Sequence, residues 1–148
     1  MASPQLLNVD TSFDDRGELV YANNFNFLSK KIKRFYIIQN HKINFVRAWH
    51  GHKKENKYIQ PIEGAIKIVL VKINNWNKPE KKLNLKQYVI SAKQPRILHI
   101  PGGYAHGVQN LTKNTKYIVY SNFDLKQSLK DDYRFPSNYW GNWDIKFR

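Results

Sequence analysis

Two short segments concentrate the side chains that could do chemistry. The first reads Val46-Arg-Ala-Trp-His50-Gly-His52-Lys-Lys-Glu-Asn-Lys57 and the second Ile100-Pro-Gly-Gly-Tyr-Ala-His106-Gly-Val-Gln-Asn110. An imidazole titrates near neutral pH, so it can exchange a proton with a reacting group or ligate a metal. His50 and His52 are two residues apart, and on a strand that spacing projects both rings from one face. Arg47 has the opposite parity and joins them only if a bulge intervenes. The second segment is a glycine turn that delivers His106 at the entrance of another strand. Three imidazoles can thus converge in one barrel mouth.

Such a mouth needs strands around it, and the strand signal dominates the chain. Runs rich in Ile, Val, Tyr and Phe recur at 32–39, 45–49, 57–62, 65–73, 85–91, 96–100 and 116–122, separated by Gly, Pro and Asn clusters. Helical periodicity is absent until 124–133. Ile66, Ile68 and Leu70 alternate with Lys67, Val69 and Val71, so one face is apolar and the other mixed, as in a sheet packed on both sides or lining a pocket. Turns are expected at Asp14-Asp15-Arg16-Gly17, Glu63-Gly64, 74–78 and Pro101-Gly102-Gly103, with no internal repeat or linker dividing the series. This pattern predicts a single all-β domain over 1–148, a barrel or sandwich with a short helical or irregular C-terminal segment. Tyr139, Trp140, Trp143 and Phe147 make the tail aromatic. It is expected to cover the barrel or a dimer interface rather than to serve as a stacking platform for a sugar or base.

The 25 Lys and Arg outnumber the 11 Asp and Glu, leaving a net charge of +14 that concentrates anionic ligands near the surface. Charge alone leaves nucleic acid, a membrane face and a small phosphorylated substrate open. The want of a recognition helix argues against helix-in-groove DNA reading. No apolar run approaches the roughly 20 residues of a membrane span, and the first residues lack a basic segment followed by an apolar core, so a cytoplasmic protein is expected. Without cysteine there is neither a disulfide framework nor thiolate chemistry.

The two segments resemble the signature motifs of the cupins, which implies a cupin-type jelly-roll barrel. The pattern Pro-x-Gly-x-x-His-x-x-x-Asn is met in full by Pro101, Gly103, His106 and Asn110. Metal-binding cupins carry His-x-His and, three or four residues on, a ligand Glu. Here His50 and His52 match, but Asn56 and Lys57 occupy the two carboxylate positions and Glu55 comes one residue too early. An ammonium beside a divalent cation is repelled, so no metal or other cofactor is expected.

A narrower resemblance accounts for the lysine. Arg47-Ala-Trp-His50, followed by Lys57 and Gly64, is similar to a motif of the deoxysugar-nucleotide 3,5-epimerases. So are Asp15-Arg16-Gly17 and Ile100-Pro-Gly-Gly-Tyr-Ala-His-Gly. The stretch Ile32-Lys-Arg-Phe-Tyr-Ile-Ile, with Arg47-Ala-Trp-His-Gly-His-Lys-Lys, looks more like the related 3,4-ketoisomerases. The likeness spans roughly residues 13 to 124. It implies an isomerase of a nucleotide-linked 4-keto-6-deoxyhexose in deoxysugar or polysaccharide biosynthesis, a homodimer with a nucleotide-sugar substrate. A 4-keto group acidifies the neighbouring C–H, so His50 is the expected base, with His52 a second. Lys57 and Arg47 would sit by the developing oxyanion and hold His50 neutral. Arg16 would contact the diphosphate, and His106 and Tyr120 the substrate.

Two departures from the epimerases matter. Their acid is a tyrosine, and the corresponding position falls on Leu125 or Lys126. Their base is paired with an aspartate in a carboxy-terminal segment, for which Asp124 or Asp144 would have to substitute. A metal-dependent cupin using His50, His52 and His106 with Glu55 or water, or a non-catalytic basic binding module, are the alternatives of other classes.

Overall fold

The computed structural model describes residues 2–141 and 143–148. Its strands are β1 (Gln5–Asn8), β2 (Asp10–Asp14), β3 (Gly17–Tyr21), β4 (Arg34–Gln39), β5 (Val46–His52) and β6 (Lys57–Glu63). They continue as β7 (Ala65–Lys72), β8 (Leu85–Ser91), β9 (Arg96–Ile100), β10 (Tyr104–Asn110), β11 (Lys116–Ser121) and β12 (Tyr133–Arg134). One helix, α1 (Leu125–Leu129), precedes β12. Two five-stranded antiparallel sheets, ordered β1-β9-β6-β11-β4 and β12-β5-β10-β7-β8, face each other, and β2 and β3 form a separate hairpin. The fold is the expected all-β, cupin-like arrangement with one short helix near its C-terminal end.

Alternation decides what each sheet encloses. Ile66, Ile68 and Leu70 of β7 are fully buried with Ile59, Leu98, Tyr117 and Val119 between the sheets. The opposite face of β7, with Val69 and Val71, packs with Trp49, Ala105 and Trp140. That second layer explains the mixed face of this strand, because the aromatic tail lies over it. Trp140 is 1% exposed and its indole donates to the Glu80 carbonyl at 2.8 Å, while Tyr139 donates to the Pro79 carbonyl at 2.6 Å. The tail therefore covers the sheet, as expected, although beyond β12 it does so as irregular chain anchored by side-chain hydrogen bonds.

Two local features place the functional strands. Between His106 and Val108 the register of β5 slips, so that His50 pairs with His106 but Arg47 pairs with Val108. This bulge puts an extra residue in β5 and brings Arg47 onto the face of His50. The second feature is the Pro101-Gly102-Gly103 turn, which packs against the chain leaving β5. A Cβ on Gly102 would lie 2.6 Å from the Lys53 carbonyl oxygen, and the Gly103 amide donates to the His52 carbonyl at 2.8 Å. Only glycine allows that approach, which locks the two motifs together.

Candidate active site

A cavity of about 310 Å³ opens between the two sheets. Sheet β12-β5-β10-β7-β8 supplies Arg47, His50, His52, His106 and Arg134; the facing sheet supplies Arg34, Tyr36, Lys57 and Tyr117; α1 closes one side with Leu125, Ser128 and Leu129. The His50 and His106 rings are 5.8 Å apart and those of His52 and His106 6.0 Å. The structure thus brings His50, His52, His106, Arg47 and Lys57 to one cavity.

The three imidazoles are not equivalent. His50 is half-buried, whereas His52 and His106 are 5% and 7% exposed. Burial, reinforced by the charges of Arg134 and then Lys57, holds His50 down at about 4. Arg134, on the short strand after α1, supplies the influence expected of Arg47. Burial and Lys57 also depress His52, and burial drives His106 well below the usual histidine range. All three rings are therefore neutral near pH 7, the form able to accept a proton.

Lys57 enters at the start of β6, buried, and its ammonium donates to the Tyr36 hydroxyl at 3.0 Å. A lysine–phenol pair is thus set opposite the imidazoles. Arg47 donates to Asn40 at 2.6 Å; Asn40 in turn donates to Asn110 at 3.2 Å. Asn110, the last residue of the second motif, therefore anchors a guanidinium from the first.

Behind the cavity Asp131 clamps the turn after β5, its carboxylate accepting the backbone N–H groups of Lys53, Lys54 and Glu55 at 2.8–2.9 Å. The Asp131 carbonyl lies 2.7 Å from His52 Nδ1. Glu55 is wholly buried and bonded to Ser121, Ser128 and His52. Its carboxylate is committed to those groups and Lys57 stands among the imidazoles, so the donor set does not fit a divalent cation. Among the described residues no three His, Cys, Asp or Glu side chains are grouped to hold one.

Other expected site residues lie elsewhere. Arg16 sits in the exposed β2–β3 turn, paired with Asp14 at 2.5 Å, and does not line the cavity of its own chain. Tyr120 has the outward parity on β11, where it packs with Phe25, Phe27 and Phe35, whereas its neighbours Tyr117 and Val119 point inward. Asp124 caps α1, accepting the Gln127 amide at 2.8 Å. Asp144 acts electrostatically on Lys67 of β7, under the tail. Leu125 lines the cavity and Lys126 does not, so neither of these two positions places an acidic hydroxyl in it.

The sequence reading passed over Arg34 and Tyr36, which strand alternation could have found, since Arg34, Tyr36 and Ile38 are the less exposed residues of β4. It also passed over Asp131, Asp132 and Arg134, whose segment carries little periodic signal. Burial would raise the Asp132 carboxyl, but the hydrogen bond and charge of Arg134 outweigh it and hold the group below its usual range.

The fold has well-defined relatives. A dTDP-4-dehydrorhamnose 3,5-epimerase from Bacillus anthracis, solved with TDP and pyrophosphate bound, superposes with a TM-score of 0.74 at 23% identity, over 91% of this chain and 79% of that one. A 3,4-ketoisomerase from Helicobacter canadensis gives 0.71 at 22% identity, over 94% and 96%. A sugar 3,4-ketoisomerase from Thermoanaerobacterium thermosaccharolyticum in complex with TDP gives 0.70 at 20%, over 92% and 90%. No curated protein matches the sequence. Residues 2–139 match the family described as FdtA: WxcM-like, C-terminal. With nearly its whole length matched, the chain belongs to that family.

Proposed function

We propose that this single domain is a metal-independent isomerase of a nucleotide-linked 4-keto-6-deoxyhexose, and that it moves the keto group from C4 to C3. The observation that carries the reading is the cavity itself: three neutral imidazoles face a buried lysine bonded to a phenol. His50, the most exposed of the three, takes the proton from C3 while the C4 oxygen gains one from the Tyr36 hydroxyl, giving an enediol. The Tyr36 oxygen then takes back the O3 hydrogen as C4 receives a proton from His50, so both groups return to their starting state and atoms balance without a redox partner. Lys57 stabilises the developing oxyanion. Apolar Leu125 supports this reading over double epimerisation, which needs an acid on the ring face opposite the base.

Among the described residues Arg34, Arg47, Lys57 and Arg134 outweigh the carboxylate of Asp132 in the cavity lining, which suits a diphosphate. TDP in the related structures supports a thymidine nucleotide. TDP at about 100 times its Kd is expected to add about 2.7 kcal/mol of stability, read as a rise of roughly 5–10 °C in Tm. Indifference to TDP and UDP, with tight RNA binding instead, would favour a basic binding module.

Among the described residues no helix is long and apolar enough to cross a membrane. A cytoplasmic site of action fits a nucleotide-sugar substrate. Phe13, Leu19 and Val20 of the hairpin and Phe35 and Ile37 of edge strand β4 are exposed apolar side chains, which supports a homodimer. A diphosphate contact by Arg16 then requires the hairpin of one protomer to reach the cavity of its partner. Sedimentation at micromolar concentration is expected to give twice the chain mass; a monomer at that concentration would remove both the dimer and this role of Arg16.

A further inference from the structure

Glu55 is a carboxylate with a 0% exposed side chain in a protein that has few acids. One oxygen accepts from the Ser121 hydroxyl at 2.5 Å and lies 3.5 Å from the Arg34 guanidinium. The other accepts from the Ser128 hydroxyl at 2.9 Å and lies 3.0 Å from His52 Nδ1. These partners come from β11, β4, α1 and β5, so one buried anion ties four elements together. A carboxylate buried at such a depth without partners costs several kcal/mol, and here each oxygen is matched.

Two consequences follow. His52 Nδ1 faces only acceptors, the Asp131 carbonyl and Glu55, so Nδ1 carries the hydrogen and the neutral ring keeps its lone pair on Nε2. The second consequence concerns α1. Its five residues are far too few for a helix to stand alone, and Leu125 and Leu129 are 60% and 67% exposed. Ser128 is the buried residue of the helix, and it meets both Glu55 and Arg34. Polar anchoring at Ser128, not apolar burial, seats the wall that carries Leu125 and Leu129 on the cavity.

We propose that Glu55 is a positioning residue that latches α1 onto the barrel and fixes the orientation of His52, so that one buried carboxylate sets both the wall of the cavity and its imidazole array. Its effect on catalysis rests on the isomerase reading; its effect on α1 does not.

Amide hydrogen exchange and steady-state kinetics of Glu55→Gln and Ser128→Ala test it. In both variants exchange at the amides of 128–131 is expected to accelerate at least about tenfold, with β7 and β10 unchanged. The Ser128→Ala change removes one hydroxyl and leaves the carboxylate bonded to Ser121 and Arg34, so this variant keeps the test open if Glu55→Gln fails to fold. For the nucleotide sugar, Ser128→Ala is expected to raise KM with kcat little changed. Glu55→Gln is expected to lower kcat by roughly 10–100-fold as well, because His52 loses its anionic partner. Unchanged exchange at α1, or acceleration spread equally over the barrel strands, would overturn the latch. If wild type turns over no nucleotide sugar while α1 exchange still responds, the isomerase reading fails and the latch stands.

Discussion

Replacing His50 with asparagine is expected to abolish exchange of the substrate's ring hydrogen while leaving nucleotide binding intact. An amide is close in size to imidazole, and His50 makes cavity contacts rather than core ones, so the fold should survive. Loss of a general base costs about 10²–10⁴ in rate. His52→Asn should cost less, since His52 is buried and bonded away from the cavity through Nδ1. The pH profile supplies an independent check. A base must be neutral, and burial with Arg134 and Lys57 holds His50 at about 4, so activity limited by this group stays level from neutral pH downward and falls only through about 4. A histidine with an ordinary pKa would lose activity already near 6.5. Full exchange by a folded His50→Asn protein that binds TDP would place the base on another residue.

Lys57→Met is expected to lower kcat by about 10²–10³ with a smaller change in KM. Lys57 is 7% exposed and its ammonium is bonded to Tyr36, so it acts as a preorganised charge in a buried site. Methionine keeps the length and apolar stem but removes the charge and the donor to the phenol. Because Lys57 also depresses His50 and His52, its removal should move the acid limb of the profile upward. A variant with wild-type kcat and a raised KM would show that Lys57 only binds the substrate.

Period-two alternation made most of the fold legible, since β8 and β9 fall where the Leu85–Ser91 and Arg96–Ile100 runs lie. It did not reveal β1, β2 and β3, whose exposed residues lack a buried face to create the pattern. Within the site the histidines were legible because residue type, spacing and glycine turn coincide. Arg47 was legible only conditionally, as a bulge leaves no local mark on composition. Tyr120 shows the converse: the resemblance implies substrate contact, while strand parity with buried Tyr117 and Val119 turns it away from the cavity of its own chain. The buried network around Glu55 depends on Ser121, Ser128 and Arg34, which lie 66, 73 and 21 residues away along the chain. No local reading joins such groups; tertiary packing does.

The central claim is that this cavity removes a proton from carbon next to a sugar keto group. Incubation of wild-type protein with TDP-4-keto-6-deoxyglucose in heavy water, followed by proton NMR, tests it most directly. The half-buried His50 can exchange its captured proton with solvent, so deuterium should appear at C3 of the 4-keto sugar and at C4 of a 3-keto product, with C5 unlabelled. Labelling at C3 and C5 without a 3-keto product would contradict keto migration in favour of epimerisation. Retention of every ring hydrogen, by folded protein that binds the nucleotide sugar, would contradict the whole account.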